Sequence, residues 1–527
     1  MWTGAARRQG FPAGLCLAAL TVTAMVSPAQ GITSSPVIAV RAALPCGEEE
    51  GWGDVTGWPD LDEDCEAELV VGAPGWNVGT ATDAGAVLYV DGTERDSDSR
   101  LITARSLGFS AQSAAGFGSS MFVTDLDGES PMDLVIGAPG ESVNGVASAG
   151  AVYVVYGSSS GLGAGRAAAR LTAASLGLSN TGGRFGSALT AWPTAPSGQS
   201  QLAVGEPLAK VDGKSGAGRL VSIDVPSLRV GRVISQGHGA PGASETGDRF
   251  AASLATVWDD VLEELYLLAG SPYEDVGSIV DAGAVTVFEP TRSFVLTQDS
   301  ARVPGAAERG DHFGAALTGI DGQPFGNETS AGALMAAPEE DIGSVKDAGA
   351  LVMLNHVVNE ELQSSWRPYV HAITADSPGF PGSVESGDRL GSTLADEFVG
   401  LSYEDIGSDK DAGSVCMIDL GRITAAGRVP SQCFDQDSAG VPGAGEAGDR
   451  FGQALTTVFE GGSDDPPYYL VVGVPGEDIG TTQDAGAVLV GDLNADDGVA
   501  DWEEPLGSLQ MPSTQVGGLR GGTLPKN

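Results

Sequence analysis

The feature that most constrains this chain is a unit of about 65 residues that it writes seven times. An Asp-Ala-Gly-Ala-Val element recurs, with substitutions, at Asp83, Ser148, Gly216, Asp281, Asp347, Asp411 and Asp484, in steps of 65, 68, 65, 66, 64 and 73 residues. A second element, an aromatic followed in most copies by Gly, runs beside it at Trp52, Phe117, Phe185, Phe250, Phe313, Leu390 and Phe451. In the first four copies the two markers stand 31 residues apart. Two markers that hold one spacing leave little room for chance, and a period of this length denotes a repeat architecture.

Each unit contains short β-rich runs such as Leu134-Val-Ile-Gly137, Ala151-Val-Tyr-Val-Val155 and Tyr266-Leu-Leu-Ala269, separated by Gly, Pro, Ser and Asp. No long stretch shows the apolar period of a helix. A unit of this size holds four strands of five or six residues plus loops. One such sheet cannot bury both faces alone, but seven packed radially can. The expected fold is therefore all-β: a seven-bladed β-propeller of four-stranded antiparallel blades. It should span residues 51–500, with repeats starting near 51, 116, 184, 249, 312, 389 and 450. Small residues at the repeat cores, Gly-Ala-Pro and Ala-Gly-Ala, suit a centre where backbones approach closely.

Phe-Gly followed by Gly72-Ala-Pro74 and Gly137-Ala-Pro139 resembles the FG-GAP repeat of the integrin α-subunit N-terminal propeller and its secreted bacterial relatives. The resemblance covers about residues 51–490. Repeat 3 departs to Gly205-Glu-Pro207, repeat 4 to Gly270-Ser-Pro272, and repeat 6 has lost the motif. It implies a calcium-using extracellular module for binding or adhesion.

The ends fit that setting. Arg7-Arg8, the apolar run Leu15 to Val26 and Ser27-Pro-Ala29 read as a secretory signal peptide over 1–29. Residues 30–50 form an N-terminal segment, and 501–527 a closing strand and flexible tail. No stretch reaches the ~20 apolar residues of a membrane span, so no transmembrane anchor is expected. Beyond the signal four cysteines remain, Cys46, Cys65, Cys416 and Cys433. Their spacings are not those of a zinc site, and an even number in an oxidising compartment points to disulfides. Proximity suggests Cys46 with Cys65 and Cys416 with Cys433, one of three connectivities. The net charge of −43 excludes a nucleic-acid partner, since phosphate contacts need Lys and Arg.

Two loops carry carboxylates at relative positions 1, 3, 5 and 9, each just before a strand: Asp60, Asp62, Asp64 and Glu68, and Asp125, Asp127, Glu129 and Asp133. Alternate side chains on a tight loop converge on one point with hard oxygen donors, and a carboxylate at position 9 closes the shell. The resemblance makes this loop, between the first and second strands of a blade, a Ca2+ site. Repeat 1 departs from the pattern: Cys65 replaces the preferred Gly, and Glu68 replaces the closing Asp. Repeats 3, 4, 5 and 7 have replaced the loop. In repeat 6 only 21 residues separate Leu390 from Asp411, so a tight turn must join the first two strands.

Repeats 4 to 7 carry two other acidic elements. One is Glu-x-Gly-Asp, at Glu245/Asp248, Glu308/Asp311, Glu385/Asp388 and Glu446/Asp449. The other is Glu-Asp-(Ile/Val)-Gly followed by Asp: Glu274, Asp275 and Asp281; Glu340, Asp341 and Asp347; Glu404, Asp405 and Asp411; Glu477, Asp478 and Asp484. They admit two readings: turn chemistry, in which Asp accepts backbone N–H groups, or an acidic binding face for an extracellular protein or cell-surface ligand. Strand alternation places both elements at the end opposite the calcium loops. Arg249, Arg389 and Arg450 could pair with these acids.

Arg309-Gly-Asp311 is one register of Glu-x-Gly-Asp rather than an adhesion signal, and Gly157-Ser-Ser-Ser-Gly161 lacks the helix of a hydrolase elbow. With no catalytic constellation among the repeated carboxylates, the expectation is a binding module and not an enzyme. A propeller glycosidase or lyase and a scaffold within a larger cell-surface assembly are the alternatives.

Overall fold

The computed structural model describes residues 38–42, 61, 68–90, 99–127, 131–192, 201–259, 261–262, 264–320, 331–358, 364–369, 371–459, 468–479, 481 and 483–492. Seven antiparallel sheets follow one another as a seven-bladed β-propeller. Blade 2 is representative: Ser120–Thr124, Asp133–Ala138, Ala151–Val155 and Ala169–Leu171 pair in sequence order. The first strands touch one another in a closed ring, so they line the axis; in blades 3 to 7 they are Ala188–Trp192, Ser253–Asp259, Leu317–Ile320, Thr393–Ala395 and Ala454–Phe459.

Three details depart from the sequence expectation. The inner strand of blade 1 is Ile38–Ala42, drawn from the segment assigned ahead of the propeller, and it pairs with Glu68–Ala73. Pairing Ala42 with Glu68 repeats the pairing of Thr124 with Asp133, so strand register rather than the aromatic at Trp52 sets where blade 1 begins. Blade 3 gains a fifth, two-residue strand, Gly239–Ala240, parallel to its outer strand. Blade 7 shows three strands among the described residues, Ala454–Phe459, Tyr468–Val474 and Ala487–Asp492. The stretches assigned to the signal peptide and the closing strand, and the pair Cys46–Cys65, lie outside the described residues. In blade 6 a two-residue turn at Asp396-Glu397 joins Thr393–Ala395 to Phe398–Leu401, as the short repeat requires.

The core is divided by interface. Each of seven apolar clusters lies between two neighbouring blades, from Val70, Tyr89, Phe117 and Ile136 between blades 1 and 2 to Phe398, Val415, Phe451 and Leu470 between blades 6 and 7. The ring closes where Val471, Val488 and Val490 of blade 7 pack with Val71 and Leu88 of blade 1. Fully buried apolar side chains at each junction, worth roughly 1.5–3 kcal/mol apiece, hold the disc together.

The two sequence markers meet at these junctions. The Ala carbonyl of Asp-Ala-Gly accepts the backbone N–H of the next blade's aromatic: Ala84 from Phe117 at 3.1 Å, Ala149 from Phe185 at 3.0 Å, Ala282 from Phe313 at 2.9 Å and Ala412 from Phe451 at 2.8 Å. The adjoining glycine is held in the left-handed region, and at Gly85 (φ 86°) a Cβ would stand 2.1 Å from the Phe117 carbonyl oxygen. Only glycine fits that approach. Phe117, Phe185, Phe250, Phe313 and Phe451 are all completely buried.

Strand direction alternates, so the turn between first and second strands lies at one end of the disc. The turns between second and third strands, and those leading into the next blade, lie at the other. The two acidic families of blades 4 to 7 fall at the latter end, opposite the calcium loops, as expected.

Candidate functional site

In blade 2 the turn between the first two strands brings three of its four expected ligands together. Asp125, Asp127 and Asp133 each offer a carboxylate oxygen, and these oxygens lie within 4.8 Å of one another. Glu129 lies outside the described residues. The loop is shaped from its closing residue. Asp133 Oδ2 accepts the backbone N–H of Leu126 at 3.0 Å, and Asp133 Oδ1 accepts that of Gly157 at 3.0 Å. Leu126 is buried and anchors the turn. Asp125 Oδ1 accepts the Asp127 N–H at 3.1 Å, which tightens the first step of the loop.

Asp133 is nearly inaccessible, and burial pushes its carboxyl up to about 7, with the charges of Asp127 and Asp125 adding to the rise against the two backbone donors. Three clustered acids with hard oxygens and an excess of negative charge are a donor set that fits Ca2+. Arg166 reaches the same loop, with Nη1 3.0 Å from Asp127 Oδ2 and its guanidinium 3.7 Å over the Tyr156 ring. In blade 1 the same frame is present: Glu68 Oε2 accepts the Leu61 N–H at 2.8 Å, and both residues are fully buried. Asp60, Asp62 and Asp64 lie outside the described residues.

At the opposite end the acids shape turns. Asp248, Asp311, Asp388 and Asp449 are each at least 97 % buried and accept the backbone N–H of Glu245, Glu308, Glu385 and Glu446. Burial of Asp311 also removes Arg309-Gly-Asp311 from presentation. Asp275, Asp341, Asp405 and Asp478 accept the N–H of Asp281, Asp347, Asp411 and Asp484 at 2.8–3.1 Å. The four donors, Asp281, Asp347, Asp411 and Asp484, sit at φ 47–56°, the left-handed conformation that Asp tolerates. Lys346 and Lys410 pair with Asp341 and Asp405. Turn chemistry is thus realised in all four blades.

Beneath these turns Glu274, Glu340, Glu404 and Glu477 share a site with the buried Asp of the same blade. Burial raises all four, to about 7 at Glu274 and about 8 at Glu404, and the neighbouring Asp raises Glu274, Glu340 and Glu404 further. Sequence reasoning missed what else holds them. Gln236, Gln298 and Gln436, each from the preceding blade, donate Nε2 to Glu274, Glu340 and Glu477 at 2.6 Å. The Gln recurrence after the outer strand was visible in the sequence; its partner 38–42 residues onward was not.

Of the expected disulfides, Cys416–Cys433 is formed, directly across the third and fourth strands of blade 6. Arg389 approaches Glu339 at 3.7 Å, whereas Arg249 lies over Tyr273, 3.8 Å from its ring centre.

The family described as the FG-GAP repeat matches residues 117–155, which run from the inner aromatic of blade 2 through its third strand. The chain is a seven-bladed β-propeller, and the match to the FG-GAP repeat lies in its second blade. Among curated proteins it is 29% identical over 191 residues to the phosphatidylinositol-glycan-specific phospholipase D of Rattus norvegicus, across 34% of this chain. That match spans only 21% of the rat protein's length. Among solved structures, a neuraminidase-like protein of subtype N11 from a flat-faced bat H18N11 isolate aligns with 70% of this chain and 84% of its own, at 11% identity and a TM-score of 0.32. Among the described residues no helix is long and apolar enough to cross a membrane.

Proposed function

We propose that this protein is a secreted, calcium-binding β-propeller that acts as an extracellular binding module. The observation that carries the reading is the convergence of Asp125, Asp127 and Asp133 on one turn. These residues would hold the ion, and the ion would balance the negative charge that Arg166 alone leaves on the turn, locking the first two strands of blade 2 at their shared end. The remaining carboxylates recur blade after blade and are used in turns, which is how a scaffold presents loops rather than how a single asymmetric catalytic centre is built. The ligand would bind at the end of the disc formed by the turns of blades 4 to 7, where Glu274–Asp281, Glu340–Asp347, Glu404–Asp411 and Glu477–Asp484 shape the rim. Adhesion through that rim is the form of binding the resemblance favours.

Calcium titration followed by thermal unfolding tests the reading. An ion bound only by the native state adds about 2.7 kcal/mol at a hundredfold excess over Kd. The parent should therefore melt higher in calcium than in chelator, and Asp127→Asn should lose most of that rise while melting normally in chelator. A calcium response that survives Asp127→Asn unchanged would refute the site.

A further inference from the structure

Two blades bury one acid beside a cation of their own. In blade 2, Arg170 Nε donates to Glu141 Oε1 at 2.8 Å and the Tyr153 hydroxyl donates to Glu141 Oε2 at 2.6 Å. The place that Asp takes in blades 4 to 7 is here Ala115. In blade 3 that place is Gly183, and Glu206 fills the space: its Oε1 lies 2.1 Å from where a Cβ on Gly183 would stand. Arg219 Nε donates to Glu206 Oε2 at 2.5 Å. Each of these blades thus sets one carboxylate against one guanidinium.

Blades 4, 5 and 7 set two carboxylates together instead. In blade 7 the Gly476 N–H donates to the Asp449 carbonyl at 3.0 Å and so holds Glu477 beside Asp449, the register that Gly140 and Ala115 keep in blade 2. In blade 5 the Asp311 and Glu340 carboxyls hydrogen-bond each other. In blade 4 burial raises Glu274, and Asp248 is the strongest of the charges that raise it further. Among the described residues none of these six acids forms an ion pair. After burial, the charges that raise Glu274, Glu340 and Glu477 all belong to other acids.

A second observation points to a ligand. Gln236, Gln298 and Gln436 press against these acids from the preceding blade, with Nε2 2.6 Å from Glu274, Glu340 and Glu477. Yet the carboxamide oxygen of each is buried and accepts no hydrogen bond among the described residues. Blade 2 again supplies the contrast: Gln112 also donates to Glu141, and its Oε1 accepts the Ser142 N–H at 3.2 Å. A buried acceptor left without a donor is costly. The same orphan recurs at all three junctions that lack an arginine. A half-turn of the carboxamide turns this oxygen towards the acids, and two carboxylates with an amide oxygen are hard donors of the kind Ca2+ takes.

We propose that each of these three junctions is a calcium site, with ligands Glu274, Asp248 and Gln236; Glu340, Asp311 and Gln298; and Glu477, Asp449 and Gln436. The ion takes the part that Arg170 and Arg219 play in blades 2 and 3 and balances two negative charges. Because the glutamine comes from the preceding blade, the ion ties one blade to the next, whereas the blade 2 turn ties strands of a single blade at the other end of the disc. Affinity follows the charge count of the ligands. With two carboxylates against the four of the blade 2 turn, the junctions fill after that turn, at about 0.1–1 mM, the range of extracellular modules. In blade 6 Ala375 replaces the glutamine, and the third ligand is missing.

Asp127→Asn removes the blade 2 site and isolates the junctions, so the two sets of sites can fail separately. In that background, calcium chloride at pH 8, above the concentration that saturates the blade 2 turn, should raise the melting temperature saturably. Sodium chloride at equal ionic strength should not. Adding Glu274→Gln, Glu340→Gln and Glu477→Gln should abolish that rise, while the melting temperature in chelator stays at or above that of Asp127→Asn, because Gln matches the shape of the protonated acid. Gln436→Glu probes one junction without removing a ligand. A third carboxylate should lower the melting temperature in chelator and tighten calcium binding at that junction at least tenfold by isothermal titration. A rise absent from Asp127→Asn overturns the proposal, since the paired acids would then hold protons only. So does a rise that the triple Gln variant keeps in full, or a Gln436→Glu variant that loses stability in chelator and gains no affinity for calcium.

Discussion

At the scale of single residues, three glutamines show how the blades are clamped and where one clamp is missing. Gln236, Gln298 and Gln436 are 3–4 % exposed and reach across a blade junction to a Glu. At the fourth such junction, between blades 5 and 6, the matching position is Ala375, and Glu404 is left with Asp388, Glu385, Asp405 and Asp435 around it. That environment pushes it up to about 8. The glycine that covers each glutamine also reports the gap. A Cβ on Gly443 would meet Gln436 at 2.9 Å, whereas a Cβ on Gly382 would meet nothing within 4 Å. Ala375→Gln should therefore fit, donate to Glu404 and stabilise the protein by about 1 kcal/mol. Urea unfolding at pH 8 measures this, and NMR titration of Glu404 should show its pKa falling. An unchanged titration with lowered stability would mean that the junction differs in more than this side chain.

At the scale of elements, the two sequence markers are one device seen from both sides. The glycine of Asp-Ala-Gly and the aromatic of the following blade form a short parallel bridge at Gly85 with Phe117, Gly150 with Phe185, Gly218 with Phe250 and Gly283 with Phe313. Gly283→Ala should be among the most damaging small substitutions in the protein. Its Cβ would stand 2.3 Å from both the backbone N and O of Phe313, in a left-handed conformation of φ 89°. Relief requires moving one blade against the next, at a cost of roughly 3 kcal/mol or more. The variant should show a lowered melting temperature or fail to accumulate as folded protein. A melting temperature within a degree of the parent would show that the junction is softer than its geometry. The Cys416–Cys433 bond acts differently, tying two strands of one blade over 17 residues rather than one blade to another.

At the scale of the whole molecule, charge and pH are coupled through the buried acids. Burial is the first cause at each one: it lifts Asp248 and Asp388 to about 6 and Asp449 to about 7, and it raises Asp311 as well. With the Glu of the same blades, these groups hold their protons more tightly in the native state than in the unfolded chain, where the values are 3.8 and 4.5. Native protein then binds more protons between about pH 4 and 8, so stability falls as pH rises through that window. In chelator the melting temperature should be several degrees higher at pH 5 than at pH 8, by differential scanning calorimetry. Glu404→Gln should flatten the upper part of the profile, because it removes the group that ionises last. A profile that rises towards pH 8 would contradict the burial of these carboxyls.

The repeat period, the β-rich runs and the spacing of markers determined the fold, because seven identical packing problems have one radial solution and write it into the chain seven times. Spacing also determined the blade 2 turn, since Asp125, Asp127 and Asp133 lie within nine residues and local geometry brings them together. The paired cysteines of blade 6 were legible for the same reason, being 17 residues apart on neighbouring strands. Tertiary structure alone decided the rest. It took the inner strand of blade 1 from Ile38–Ala42, because backbone register, blind to the side-chain marker at Trp52, selects the strand that completes the sheet. It turned the acids Asp248, Asp311, Asp388 and Asp449 from an open field into buried turn acceptors. And it set Gln436 against Glu477, 41 residues further along the chain, because the packing of one blade on the next brings the end of an outer strand over the neighbouring turn.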